Sequence, residues 1–336
     1  VLAPGGAAGT WSALGPVRLR IARPAGTLEP WKDAATHEHR SMSIDGLVWE
    51  DHPPLRRPVL VAGFEGWNDA ADAASDAVAW LARRFGGRRF AWIDPEEHVD
   101  FQSTRPRVEL VDGVTRSIVW PANECMAAPV EGSEHDLVVL IGVEPNVRWR
   151  SFCRAVISVA RETRCELVVT LGALLADVPH TRPMSITGTA TDPALIARLG
   201  LERSRYEGPT GIVGVLHDAC REAGLVSVSL WAPVPHYVAA PPNPVATLEL
   251  VTRFGRLTGI AMDTHDLQAD AQTWRARVSE VVAGDDQVAQ YVRQLEERLD
   301  AEAAEHDEPT VEGELPSGDD LAAELEQYLR DQRDNG

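Results

Sequence analysis

From Pro58 onward, short apolar runs alternate with stretches in which apolar residues recur every three or four positions. The runs predict strands at Val59 to Ala62, Phe90 to Ile93, Val108 to Val111, Ser117 to Trp120, Leu137 to Ile141, Leu167 to Leu171 and Val226 to Trp231. Val138, Val139, Val168 and Val169 sit in unbroken apolar runs, the pattern of central strands buried on both faces. Helical spacing predicts helices over Asp69 to Arg84, Arg148 to Glu162, Asp192 to Leu199, Gly211 to Glu222 and Pro244 to Gly259. The alternation calls for an α/β domain over residues 55–263, a mostly parallel sheet covered by helices. VELVD and RSIVW, joined through Gly113, are the pair expected to run antiparallel.

After Asp263 the pattern is purely helical. Leu267, Ala271, Trp274, Val278 and Val281 form one stripe, and Val288, Val292, Leu295 and Leu299 form another. Gly284-Asp285-Asp286 reads as the turn of a helical hairpin over 264–300. These stripes exceed what one sheet obviously covers, so a homo-oligomer is expected. Residues 301–317 read as an acidic linker, and 318–333 as a terminal helix capped by Ser317. Its face of Leu321, Leu325 and Tyr328 needs a surface, on the same chain, a second subunit or another partner. Residues 1–41, rich in Gly, Pro and Ala without a period, read as disordered or as an extension upstream of a natural start at Met42.

Charge narrows the partners. The chain of 336 residues carries a formal −19, which argues against nucleic acid and anionic membrane as nonspecific partners. Residues 300–336 alone hold 13 acidic side chains against Arg330 and Arg333. Cys125, Cys153, Cys165 and Cys220 contain no C-x-x-C pair and read as reduced thiols of a cytoplasmic protein. The longest apolar run, Leu167 to Ala176, is too short to span a bilayer.

Candidate chemistry gathers where predicted strands end. The first strand runs into AGFEGWNDA, a tight turn in which Asn68 is placed to cap the next helix and Trp67 to pack into a neighbour. In an open α/β sheet such a turn faces the ligand crevice, yet Glu65 and Asp69 put carboxylates where an anion would sit. Phosphate and nucleotides are therefore expected to bind weakly there. Glu144, closing the LVVLIGV run, belongs to the same candidate crevice. In TLGALLADVPHTRP, Asp177 and His180 would serve as an acid and base pair if they converged, although a proline-fixed surface loop is the plainer reading. Thr210 in EGPTGIVGVL is a candidate helix cap and ligand contact. Arg182, His236 and Tyr237, on loops stiffened by proline, are candidate protein contacts. No metal site is expected: His37-Glu38-His39 lies in the extension read at 1–41, and Glu96-Glu97-His98 lacks the H-E-x-x-H spacing that puts two imidazoles on one helix face. No cofactor motif is found, neither G-x-x-x-x-G-K-[ST] nor G-x-G-x-x-G.

Taken in order, PVLVAGFEGWNDA, LVVLIGVEPNVRW, LVVTLGALLADVPHTRP, YEGPTGIVGVL and WAPVPHYVAAPPNP make the chain resemble the proteasome assembly chaperone type 2 family, in its actinobacterial branch, over about residues 55–300. The resemblance implies a three-layer α/β/α fold akin to purine nucleoside phosphorylases, with a C-terminal helical addition. It also implies an assembly or interaction protein, with proteasome subunits among the partners and, by analogy with phosphorylase-like folds, a trimer. Archaeal relatives use a C-terminal hydrophobic-Tyr-any signal, from which the ending RDNG departs. The alternative is a nucleoside-type binder or enzyme on the same fold. Dispersed Glu65, Asp69, Asp177 and His180 would favour the first reading, and convergence in a closed pocket the second.

Overall fold

A computed structural model describes residues 45–111, 115–191, 202–203 and 207–307. The expectations for residues 1–41, the helix at 192–199 and the terminal helix at 318–333 lie outside the described residues. Eleven strands are described: β1 (Leu47–Trp49), β2 (Val59–Glu65), β3 (Arg88–Ile93), β4 (Arg107–Val111), β5 (Thr115–Val119), β6 (Asn123–Ala128), β7 (Leu137–Val143), β8 (Leu167–Ala176), β9 (Thr187–Ala190), β10 (Glu202–Arg203) and β11 (Ser227–Pro235). The helices are α1 (Ala73–Arg84), α2 (Pro95–His98), α3 (Trp149–Glu162), α4 (Ile212–Glu222), α5 (Pro244–Thr258), α6 (His265–Ala283) and α7 (Asp286–Asp307).

Nine strands form one sheet in the order β1-β3-β6-β7-β2-β8-β11-β9-β10. Its four central strands, β7-β2-β8-β11, are parallel, and antiparallel strands on both flanks make the whole sheet mixed. The unbroken apolar run of β2 follows from burial on both faces. Val59 and Val61 face α1 and α5, whose Val78, Leu81, Leu250 and Phe254 are buried there. Leu60, Ala62 and Phe64 face α3 and α4 through Phe152, Val156, Ile212 and Leu216. Burying each large side chain of these layers contributes about 2 kcal/mol. The expected α/β/α layering is present.

Strands β1, β6, β9 and β10 escape the apolar pattern. LVW and ER are short, NECMAA and TGTA are small or polar, and neighbouring strands rather than intrinsic preference hold them in the sheet. Pairing also carries β8 and β11 further than their patterns suggest, from Ser227↔Val168 to Pro235↔Ala176. Pro233 and Pro235 are tolerated because β9 pairs with β11 only up to Trp231, so their missing N–H groups face no strand. The expected antiparallel ribbon is β4–β5, a separate two-stranded sheet with Val108 opposite Ile118.

The helical hairpin is α6 and α7, and α7 continues to Asp307, past the start expected for the acidic linker. Leu267 joins the main core, while Val278, Val282 and Val292 form a small second one with Tyr237, Val238 and Trp274. The apolar stripes are thus covered within the chain, Val282 taking the buried position expected of Val281. They no longer supply the reason to expect self-association.

Cys125, Cys153 and Cys220 are buried and Cys165 partly so, all as free thiols. Burial raises Cys153 and Cys220 to about 12 and Cys165 to about 11, and pushes Cys125 further. A thiol reagent at neutral pH should therefore react slowly with the folded protein and titrate four thiols after nonreducing unfolding. A count below four would contradict the reduced state.

Candidate functional site

The chain leaves β2 for α1 on one face of the sheet and leaves adjacent β7 for α3 on the other. That divergence opens the position where α/β sheets hold ligands. Here a side chain of the protein fills it. Glu144 follows β7, and its backbone N–H donates to Glu65 O at 2.8 Å. Its carboxylate accepts from Trp67 N at 3.1 Å, Asn68 Nδ2 at 2.8 Å and Ile212 N, in the first turn of α4, at 2.9 Å. An anion at a helix N-terminus with two further donors is a favourable arrangement, and this anion is covalently attached. Gly66, at φ +141°, leaves room for Glu144, since a Cβ there would lie 2.9 Å from Glu144 Cβ. A Cβ at Gly211 would lie 2.6 Å from Glu144 Oε1 and closer still to the Asn68 amide.

Several expected roles change hands. Asn68 is buried and serves Glu144 instead of capping α1. A 3-10 turn at Ala70–Asp72 separates it from the helix, and Asp69 reaches across that turn to accept from Ala74 N at 2.7 Å, Ser75 N at 3.2 Å and Ser75 Oγ at 2.5 Å. Thr210 does not cap α4, because Glu144 already takes the first helical N–H group. Trp67, expected to pack into a neighbour, is 62% exposed. Burial raises the Asp69 carboxyl to about 6 and that of Asp76, helped by Asp72 and Asp69, to about 7. Glu65 is exposed at the end of β2.

Asp177 and His180 stand apart from this crevice and do not pair with each other. Asp177 Oδ1 lies 3.0 Å from His236 Nδ1, and its backbone oxygen accepts from Arg298 of α7. His180 is buried. Its backbone N–H donates to the Tyr237 oxygen at 2.8 Å, and Nδ1 lies 2.8 Å from the same oxygen, placed to accept the phenolic proton. The imidazole proton then sits on Nε2, 3.1 Å from Ser279 Oγ of α6. Arg182 pairs with Asp300 at 2.7 Å and reaches Glu296, which also accepts from Thr181. Tyr237 is half-buried, its hydroxyl pushed up to about 12 by burial. Tyr237 and Arg182, expected as exposed protein contacts, therefore hold the helical hairpin to the sheet; His236 remains exposed. A cavity of about 60 Å³ between Pro179, Pro183, Asn243 and Trp274 has room for only a water or two.

Glu144 carries the one convergence of crevice residues, with Asn68 and the turn after Thr210. Its role could have been suspected from an acid ending an apolar strand between two glycine-bearing turns. Ser279, Glu296 and Asp300 left no signal, since their partners lie about a hundred residues away. Among the described residues, no group of three or more His, Cys, Asp or Glu is placed to hold a metal ion, and no helix is long and apolar enough to cross a membrane.

The PAC2 family model matches residues 63–282. A PAC2 family protein from Streptomyces avermitilis is 50% identical, with a TM-score of 0.65 over 70% of this chain and 99% of that one. A proteasome-assembly chaperone homologue from Mycobacterium tuberculosis is 47% identical, with the same TM-score and the same coverage. An archaeal proteasome activator from Pyrococcus furiosus shares the fold at 15% identity and a TM-score of 0.57, over 70% of this chain and 97% of that one. Among curated proteins, none matches the chain.

Removing the carboxylate leaves three donors without their acceptor, so Glu144→Ala should lower unfolding stability by about 3 kcal/mol and Glu144→Gln by about 1 kcal/mol in urea denaturation. Equal stability of Glu144→Ala and the native chain would contradict the role assigned to it. Burial, which outweighs the raising effect of Glu296, lowers the pKa of His180 below 6.5. The folded state thus prefers the neutral ring, and its stabilisation is complete above pH 6.5 and lost as pH falls through the depressed value. Trp274 fluorescence should report hairpin loosening in that direction, retained in His236→Gln and lost in His180→Phe.

Proposed function

The chain belongs to the PAC2 family, and on that premise we propose that it is a noncatalytic, assembly-chaperone-like interaction protein of the cytoplasm, related in its task to the proteasome. The observation that carries this reading is Glu144, whose carboxylate occupies the donors that a bound anion would need. The candidate catalytic groups support it as well: Asp69 is committed to α1, His180 to Tyr237 and Ser279, and Asp177 to His236. The name carried by the Mycobacterium relative, at 47% identity, supports the proteasome as the place to look for partners.

The contact surface in this reading is the rim around the filled crevice. Trp67, Val147, Leu174 and Leu175 are exposed at the C-terminal ends of β2, β7 and β8, with His236 and Asp177 beside them. A tryptophan held on a loop whose neighbours are fixed by hydrogen bonds loses little freedom on binding and belongs to the residue types that dominate interface energetics. The acidic C-terminal region would steer a basic partner at low salt. The working unit in this proposal is a homo-oligomer, a trimer.

Binding kinetics against purified proteasome α subunits test the reading. Trp67→Ala and Leu175→Ser should weaken binding by about tenfold or more, chiefly through faster dissociation, and light scattering of the native chain should give a trimer mass. Saturable binding of phosphate, ATP or inosine in calorimetry, with no binding to any α subunit, would overturn the proposal in favour of a small-molecule protein.

A further inference from the structure

The β4–β5 ribbon is exposed in a way its own composition does not sustain. Two strands alone are marginal in water and need a third strand or a helix against an apolar face. Among the described elements, β4 and β5 pack extensively only on each other. The register puts Val108 opposite Ile118 and Leu110 opposite Arg116, so alternation brings Val108, Leu110, Ile118 and Trp120 to one face. Val108, Leu110 and Ile118 are 60%, 63% and 54% exposed. Arg116 shares that face, opposite Leu110, while Arg105 just precedes β4 and Arg107 turns to the reverse side; all three are exposed, and among the described residues Arg105 and Arg116 form no ion pair.

The complement to this face is written in the chain beyond α7. SGDDLAAELEQYLR, residues 317–330, places Leu321, Leu325 and Tyr328 at helical spacing and surrounds them with Asp319, Asp320, Glu324 and Glu326. Apolar residues flanked by acids match an apolar face that carries Arg116 and has Arg105 at its edge. We propose that this segment docks on the exposed face of the β4–β5 ribbon of its own chain.

Topology brings the two together. β3 and β7 are both antiparallel to β6, so the connection from β3 to the ribbon leaves from the same end of the sheet as the loop after β7. Asn146 N donates to His98 O across these two connections at 2.9 Å. The α7 helix is fixed at that same end, through Arg182 and Asp177 after β8. Between Asp307 and Leu321 the chain has 13 residues, a contour of about 46 Å over the 14 steps, comparable with the breadth of a domain of this size. A segment tethered at that range acts at an effective concentration near millimolar, which favours the same chain over a second copy.

Hydrogen exchange of the full-length protein tests this. In Leu321→Ser/Leu325→Ser, amides of residues 107–111 and 115–119 should exchange about tenfold faster, and Arg116→Glu should act in the same direction. These substitutions leave the described core untouched. In a Leu110→Cys/Leu325→Cys variant, mild oxidation should yield a crosslinked monomer, absent from a Val226→Cys/Leu325→Cys control. Unchanged exchange in both ribbon strands, protection that grows with protein concentration whatever the tail carries, or a crosslinked dimer in place of the monomer would each overturn the proposal.

Discussion

The carboxylate of Glu144 is the constraint on which the ligand end of the sheet depends. It accepts from the turn after β2 and from the first turn of α4, while the backbone of its own residue is tied to Glu65. Three connections therefore share one acceptor. The demand for room around it explains why glycine stands at 66 and 211, where a side chain would collide with the carboxylate or with Asn68. It also explains why Asn68 cannot cap α1 and why Asp69 must reach over the intervening turn to do so. With the loop fixed from beneath, Trp67 is left pointing at solvent.

A second, independent set of bonds fixes the other half of the same end. His180 and Tyr237 come from loops after β8 and near the end of β11, and their mutual hydrogen bonds pass through the imidazole to Ser279 on α6. Arg182 does the same for α7 through Asp300 and Glu296. Leu267 anchors α6 in the main core and Val278, Val282 and Val292 add a small core of their own, to which these polar contacts add register as well as stability. Arg182 and Tyr237, whose types suggest protein contact, are thus consumed in the construction of the molecule.

The layers were legible because their cause is local. A strand buried on both faces must be apolar throughout, and Val59 to Ala62, Leu137 to Ile141 and Leu167 to Leu171 carry that requirement in consecutive residues. β6 was not legible: NECMAA becomes a strand because β3 and β7 pair with it on either side, a fact about residues distant in sequence. The site divides along the same line. That Glu65, Asn68, Asp69 and Glu144 lie near strand ends and Thr210 before a helix follows from local pattern, but which of them acts as acceptor, cap or bystander depends on where a 3-10 turn and the head of α4 fall in space. Trp67 illustrates the limit, since the residue most readily assigned to a core is exposed.

A crevice that awaits a ligand leaves its loops dependent on that ligand for order, because unpaired backbone N–H groups at a helix terminus are otherwise satisfied by water. When the anion is a side chain, the loops are ordered in every molecule. The rim around them then presents the same apolar shape at all times, and the entropy of arranging it is spent during folding, before any encounter. Rigidity of this kind does little for chemistry, which needs reactive groups free to meet a substrate, yet it suits recognition of a surface. The same distinction applies to the β4–β5 ribbon. Apart from Phe101 against Trp120, its apolar face is left open by the described residues, and the acidic, amphipathic segment at 317–330 has the composition to cover it. One end of the sheet thus combines a rim held by an internal ion with a ribbon whose apolar face, in the docking proposed above, the chain itself covers.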